Sequence, residues 1–200
     1  MISGWSDEVR LMFRPLVMYR QLVARPDNGG FRLSLQRPIF VALAFGAFVS
    51  LTVAARLTIP LLLEGAFFWS FVPILQVVLV AGVVLTFARG QISIPKALDL
   101  FFMGYGPCLG WMLGIAGSCL FLPLKEIYLW PTETGWIMPV SLLGTWLWSN
   151  IINFAFLRGG LRLTAAKAVT ALLLYTMMFW GIILSYLFAV ESLQLHRLQF

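Results

Sequence analysis

Apolar residues run almost unbroken through five stretches, residues 38–63, 66–88, 98–122, 136–157 and 168–190, while polar residues gather in the intervals between them. Each stretch holds about 20 residues or more, the length a helix needs to cross a hydrocarbon core about 30 Å thick. With no water at that depth, backbone N–H and C=O groups must be satisfied within each segment, so the stretches predict helices. A transmembrane barrel would need alternating segments of about ten residues, and these runs are continuous. The predicted fold class is all-α, a polytopic membrane protein with five transmembrane helices and an amphipathic N-terminal arm.

Charge supplies the orientation. Of the 14 Lys and Arg residues, Arg10, Arg14, Arg20, Arg25, Arg32 and Arg37 precede the first stretch. Arg89 and Lys96 lie between the second and third, and Arg158, Arg162 and Lys167 between the fourth and fifth. If five spans alternate, all of these share one side, and only Arg56, Lys125 and Arg197 fall on the other. The positive-inside rule then places the N-terminus in the cytoplasm and the C-terminus outside, as in a multi-pass protein of a bacterial plasma membrane. The expected organisation is a cytoplasmic arm over residues 1–37, a five-helix transmembrane domain over 38–190 and a short exterior tail over 191–200. No cleavable signal peptide is expected, because the first 37 residues lack an apolar core and Asp7 and Glu8 stand where basic residues would.

A mean hydropathy of +0.91 and a charged fraction of 11% exclude an ordinary soluble domain, where charged residues make up about 25%. The net charge of +6 reads as a topology signal, not as a nucleic-acid footprint, because the charges flank spans and form no separate basic domain.

Ser6, Asp7 and Glu8 form a helix-start signature, a capping residue followed by acids. Val9, Met12, Phe13, Leu16, Tyr19 and Val23 then fall on one face at helical spacing, with Arg10, Arg14 and Arg25 opposite and Arg20 near the apolar edge. Pro15 predicts a break or a kink. A basic amphipathic stretch beside a membrane is expected to lie on the anionic inner leaflet, with Arg10, Arg14, Arg20 and Arg25 docking to lipid or to a cytoplasmic partner. Asp27-Asn28-Gly29-Gly30 reads as a hinge before the first span.

Within the spans, Arg56 is expected at the outer interface, with Glu64 near it. Gly106, Gly110 and Gly114 repeat every fourth residue, a smooth stripe that lets another helix approach closely, and Pro107 predicts a kink beside it. That stripe serves either packing within the bundle or self-association. Gln76, Asn150 and Asn153 are the polar side chains able to line a cavity. Pro73 accompanies Gln76, and Thr164 is a plausible helix cap for the fifth span. Tyr128, Trp130 and Trp136 resemble an interfacial belt in the outer loop. Lys96 and Asp99, one turn apart, suggest a surface ion pair. Cys108 and Cys119 would stand about 16 Å apart on one helix, beyond the roughly 7 Å Cα limit for a disulfide.

Catalytic chemistry is not indicated. His196 is the lone histidine, the carboxylates lie at or beyond membrane edges, and no phosphate loop or dinucleotide fingerprint occurs. The expectation is a protein that is not an enzyme and that carries no cofactor or metal.

The run from Pro95, Lys96, Ala97 and Leu98 to Gly104-Tyr105-Gly106-Pro107 resembles a stretch of the Yip family, the Ypt/Rab-interacting proteins, in its short bacterial form. The resemblance covers about a dozen residues of motif and, in layout, most of the chain. It implies a non-enzymatic integral membrane protein, and in eukaryotic relatives a link to vesicle traffic, small-GTPase binding and membrane shaping. The chain lacks the acidic Asp-Leu-Tyr-Gly-Pro motif and has a much shorter arm, so GTPase binding is not carried over. The function expected is that of an interaction or organising component, with other membrane subunits or its own copies as partners. A transporter or channel subunit, or an accessory subunit of a larger complex, is the alternative.

Overall fold

Prolines mark where the helices begin. A computed structural model of the protein describes the backbone over residues 3–25, 31–54, 56–121 and 137–197, and side chains over 7–25, 36–54, 56–121 and 139–189. Four of its helices carry Pro in the first two positions, where the missing N–H is no loss and the fixed φ suits a first turn. These are α2 (Pro15–Ala24), α4 (Ile59–Trp69), α6 (Ile94–Met103) and α7 (Gly106–Cys119). The remaining helices are α1 (Ser3–Phe13), α3 (Phe31–Ala54), α5 (Phe71–Phe87), α8 (Ile137–Ala155) and α9 (Ala165–Arg197). A π-helical turn, Phe156–Gly160, extends α8.

The chain is an all-helical membrane protein. Four segments are long and apolar enough to cross a bilayer: Gln36–Ala54, Ile59–Phe87, Pro139–Gly160 and Ala165–Ala189. The pair α6 and α7, bent by 41° at Gly104 and Tyr105, makes five when it counts as one span. The kink expected at Pro107 is therefore a break between two helices.

Two span boundaries differ from the hydropathy reading. The first span ends at Ala54, not near residue 63, and the second begins at Ile59, not at 66. The turn between them is held by buried Ser50. The Thr58 N–H donates to Ser50 Oγ at 2.8 Å, and that hydroxyl lies 3.1 Å from the Arg56 carbonyl. Below the turn α3 and α4 touch backbone to backbone. A Cβ on Gly46 would collide with the Leu62 carbonyl and stand 2.8 Å from Ala66 Cβ, while one on Gly65 would meet Val49 Cβ at 2.9 Å. Small residues allow such approach where packing, not water exclusion, holds helices together. Arg56 is exposed in the turn, and Glu64 is exposed in α4.

The fifth span also runs on. The helix expected to end near residue 190 continues to Arg197, although side chains beyond 189 lie outside the described residues. Thr164 caps this helix as expected, with the Lys167 N–H 3.4 Å from its Oγ1. The Asp27–Gly30 hinge, the aromatic belt at Tyr128, Trp130 and Trp136, and His196 fall outside what is described, as does the Ser6 side chain.

Tight packing concentrates at one end. Ala88, Ala97, Leu98, Ile152, Leu161 and Ala168 are each at most 2% exposed, and all lie toward the end that carries Arg25, Arg89, Lys96, Arg158 and Lys167, the basic end. Toward the other end Ser50, Ala66, Ala116 and Cys119 of α3, α4 and α7 stay buried, while α8 and the far part of α9 stand open. No side chain from Pro139 to Ile151 is fully buried, and Leu184 and Phe188 of α9 are exposed.

Candidate functional site

The N-terminal arm is a helical hairpin built into the basic end, not a single surface helix. Pro15 divides it, and Arg14 takes a non-helical backbone (φ −136°, ψ 58°) at the turn between α1 and α2. α1 begins at Ser3, ahead of the Ser6-Asp7-Glu8 signature, and the acids serve a different purpose. Asp7 Oδ2 accepts from Arg25 Nη1 at 2.6 Å, joining the two ends of the hairpin. Glu8 Oε1 accepts from Arg37 Nη1 at 2.9 Å, and Arg37 Nε reaches Asp99 Oδ1 at 2.7 Å. Arg37 of α3 thus ties α1 to α6.

Lys96 does not pair with Asp99. Its ammonium donates to the carbonyls of Val23 at 2.9 Å and Arg25 at 2.5 Å. These are open carbonyls at the end of α2, where a cation is also favoured by the helix dipole. The bond to Asp7 holds the Arg25 guanidinium further above its ordinary range.

The hairpin's inner face is Leu11, Met18, Tyr19 and Leu22, all buried. This corrects the predicted apolar face, of which only Tyr19 is fully buried, while Val9 and Phe13 point outward at 50% and 72% exposure. A single helical register does not survive the break at Arg14, so one periodic stripe could not describe both helices. Two glycines make the seat. A Cβ on Gly159 would come within 3.0 Å of the Leu16 carbonyl, and one on Gly104 would lie 2.7 Å from Tyr19 Oη. The π turn widens the end of α8 where α2 crosses it, with the Leu161 N–H bonding five residues back to Phe156 at 2.9 Å. Tyr19 stacks edge-on to Phe156, and among the described residues its hydroxyl has no hydrogen-bond partner. Burial pushes that phenol well above its ordinary pKa.

From Glu8 at the ion pairs, α1 runs about 8 Å along its axis, at 1.5 Å per residue, to the turn at Phe13 and Arg14. There the Trp148 indole donates to the Met12 carbonyl at 3.1 Å, and Met12 fills the space left by Gly106. The outer face of the hairpin carries a groove of about 420 Å³ lined by Val9, Arg10, Phe13, Arg14, Val17 and Gln21, with Met18 of the inner face also reaching it. Arg10, Arg14 and Arg20 are exposed, and among the described residues none of them has a carboxylate partner. Of the four arginines expected to dock, Arg25 is instead turned onto Asp7.

The glycine stripe is divided between two environments. Gly106 receives Met12, whereas a Cβ on Gly110 or Gly114 would meet nothing within 4 Å among the described residues. Pro107 opens α7. Gln76, Asn150 and Asn153 do not converge on one cavity. Buried Gln76 accepts a hydrogen bond from the Tyr105 hydroxyl across the bundle. Asn150 returns its amide to the Trp146 carbonyl of its own helix at 2.8 Å. Asn153 lines a water-sized void of about 10 Å³ with Phe101, Phe156 and Tyr175. Cys108 and Cys119 are free thiols. Among the described residues, no group of three or more His, Cys, Asp or Glu is placed to hold a metal ion.

Compared with protein-family models, curated proteins and solved structures, the chain gives no match.

Proposed function

We propose that this is a non-enzymatic multi-pass membrane protein that acts as an interaction or organising component, its hairpin on the cytoplasmic side of a bacterial plasma membrane and its C-terminus outside. The observation that carries the reading is the uncovered outer part of α8 and of the glycine face of α7. From Pro139 to Ile151, α8 fully buries no side chain within its own chain, and α7 presents Gly110 and Gly114 to open space. Helices in lipid associate through such small-residue surfaces, so this uncovered surface is the place where a helix of another subunit or of a second copy docks. The Yip-type resemblance around Gly104-Tyr105-Gly106-Pro107 supports the same role, since that stretch forms the break at which the hairpin's Met12 is seated.

Purification in mild detergent, followed by cross-linking and mass analysis, tests this. The expected result is a defined assembly, either a homo-oligomer or a complex with one membrane partner, with cross-links on α7 and α8. A strictly monomeric protein with no partner would overturn it. A transporter or channel instead predicts solute flux in proteoliposomes that falls when Gln76 or Asn153 is replaced.

A further inference from the structure

We infer that the outer groove of the α1–α2 hairpin is a site for one anionic glycerophospholipid, with the phosphate on Arg10 and Arg14 and an acyl chain along Val9, Phe13 and Val17. The inference rests on the proposed placement of the arm on the bilayer. Arg10 and Arg14 are four residues apart, and the Arg14 N–H closes that turn on the Arg10 carbonyl at 2.8 Å, which places both residues beside one groove. Arg25 and Arg37 are matched to carboxylates, whereas Arg10 and Arg14, among the described residues, face no acid. Guanidiniums hold phosphate oxygens in paired hydrogen bonds, which makes phosphate the fitting counter-charge.

The floor between them is apolar. Val9, Phe13 and Val17 are half or more exposed on a hairpin whose opposite face is already seated against the bundle. The groove volume of about 420 Å³ lies within the range of about 300–1,000 Å³ usual for small-molecule sites. The hairpin turn beside the groove also touches Trp148 of a membrane span. A free phosphate would satisfy the arginines and leave Phe13 and Val17 bare, while a neutral lipid would cover the floor and leave the charges unmatched. A phospholipid of net negative charge satisfies both, whereas the choline cation of a zwitterionic phospholipid would stand against the two guanidiniums.

The test is native mass spectrometry of the full chain, released from detergent micelles that contain equal amounts of dioleoyl phosphatidylglycerol and dioleoyl phosphatidylcholine. Wild-type protein is expected to retain one phosphatidylglycerol in preference to phosphatidylcholine. Each of Arg10→Gln and Arg14→Gln should lower that preference by about fivefold. Val17→Trp keeps the charges but fills the groove, and it should also reduce retention, which preserves the test if an arginine variant folds poorly. Arg162→Gln, on the loop before α9, should change nothing. Equal retention of the two lipids, a preference unaffected by the Arg10 and Arg14 substitutions, or displacement of the lipid by millimolar inorganic phosphate would overturn the inference. So would a bound protein partner occupying the groove with no lipid retained. Assembly size read in the same spectra separates the two proposals: lipid selectivity can fail while the assembly persists, and the reverse.

Discussion

Trp148 donates its indole N–H to the main-chain carbonyl of Met12 at 3.1 Å, across 136 residues of chain. The acceptor is one of the last carbonyls of α1, which have no partner within the helix. Trp148→Phe keeps an aromatic ring beside Phe13 but leaves that carbonyl unpaired, at a cost of about 1 kcal/mol. Hydrogen exchange in α1 should accelerate severalfold in this variant, with α4 and α5 unchanged. Equal exchange in both proteins would show that the bond does not hold the arm.

Arg37 is the larger clamp, because one guanidinium serves Glu8 on α1 and Asp99 on α6. Both pairs are partly exposed, so each contributes about 0.2–1 kcal/mol. Arg37→Ala should therefore cost about 0.4–2 kcal/mol in all, of which the Glu8 pair's share of about 0.2–1 kcal/mol loosens the hairpin, read as faster proteolysis at the arm. Arg37→Lys should recover only part of this, since one ammonium cannot span both carboxylates in the same geometry.

Tyr19 offers a pH signature. Docked, its phenol is held neutral well above the ordinary value of 10.0; undocked, it ionises normally. Below pH 10 neither state is charged and docking is unaffected. Above it the undocked state alone loses its proton, so docking should weaken as pH rises, by up to about tenfold per unit. Tyr19→Phe should remove this tyrosine's share of the alkaline sensitivity. Because the buried hydroxyl has no partner among the described residues, the same change should also be neutral or stabilising by about 1 kcal/mol at neutral pH. Loss of stability at pH 7 would mean that the hydroxyl has a partner.

Two glycines should respond in opposite ways. Gly46→Ala drives a methyl into the Leu62 carbonyl of α4, and overpacking of that kind costs about 1–3 kcal/mol. Gly110→Leu meets open space, so thermal stability should hold while assembly in mild detergent weakens. Unchanged assembly in the Gly110 variant would remove α7 from the interface.

Hydropathy made the spans legible because a bilayer imposes a length that any apolar helix must meet. It could not place the first turn. Leu57, Ile59, Leu61, Leu62 and Leu63 are as apolar as the helices on either side, and the informative residues were Thr58 and Pro60, a cap and a helix-starting proline. Pro15 and Thr164 were readable for the same reason, since their effects are confined to neighbouring residues. Gly46, Ser50 and Gly65 are a small-residue signal too, but without the three glycines at regular four-residue spacing that make the stripe on α7 stand out. The ion pairs were beyond reach. Asp7 to Arg25 and Arg37 to Asp99 join residues from different helices, and local spacing favoured the wrong partner for Lys96.

The claim on which the rest depends is that the N-terminal segment folds back into the bundle as a hairpin. An ideal Cβ on Gly106 lies 3.4 Å from Met12 Cγ, within the geometry a short disulfide can bridge. Met12→Cys and Gly106→Cys, combined with Cys108→Ala and Cys119→Ala, should therefore form an intramolecular disulfide on mild oxidation in native membranes, detected by mass spectrometry of the cleaved chain. Failure to cross-link, with the cysteine at position 12 freely alkylated by a water-soluble reagent, would contradict the hairpin.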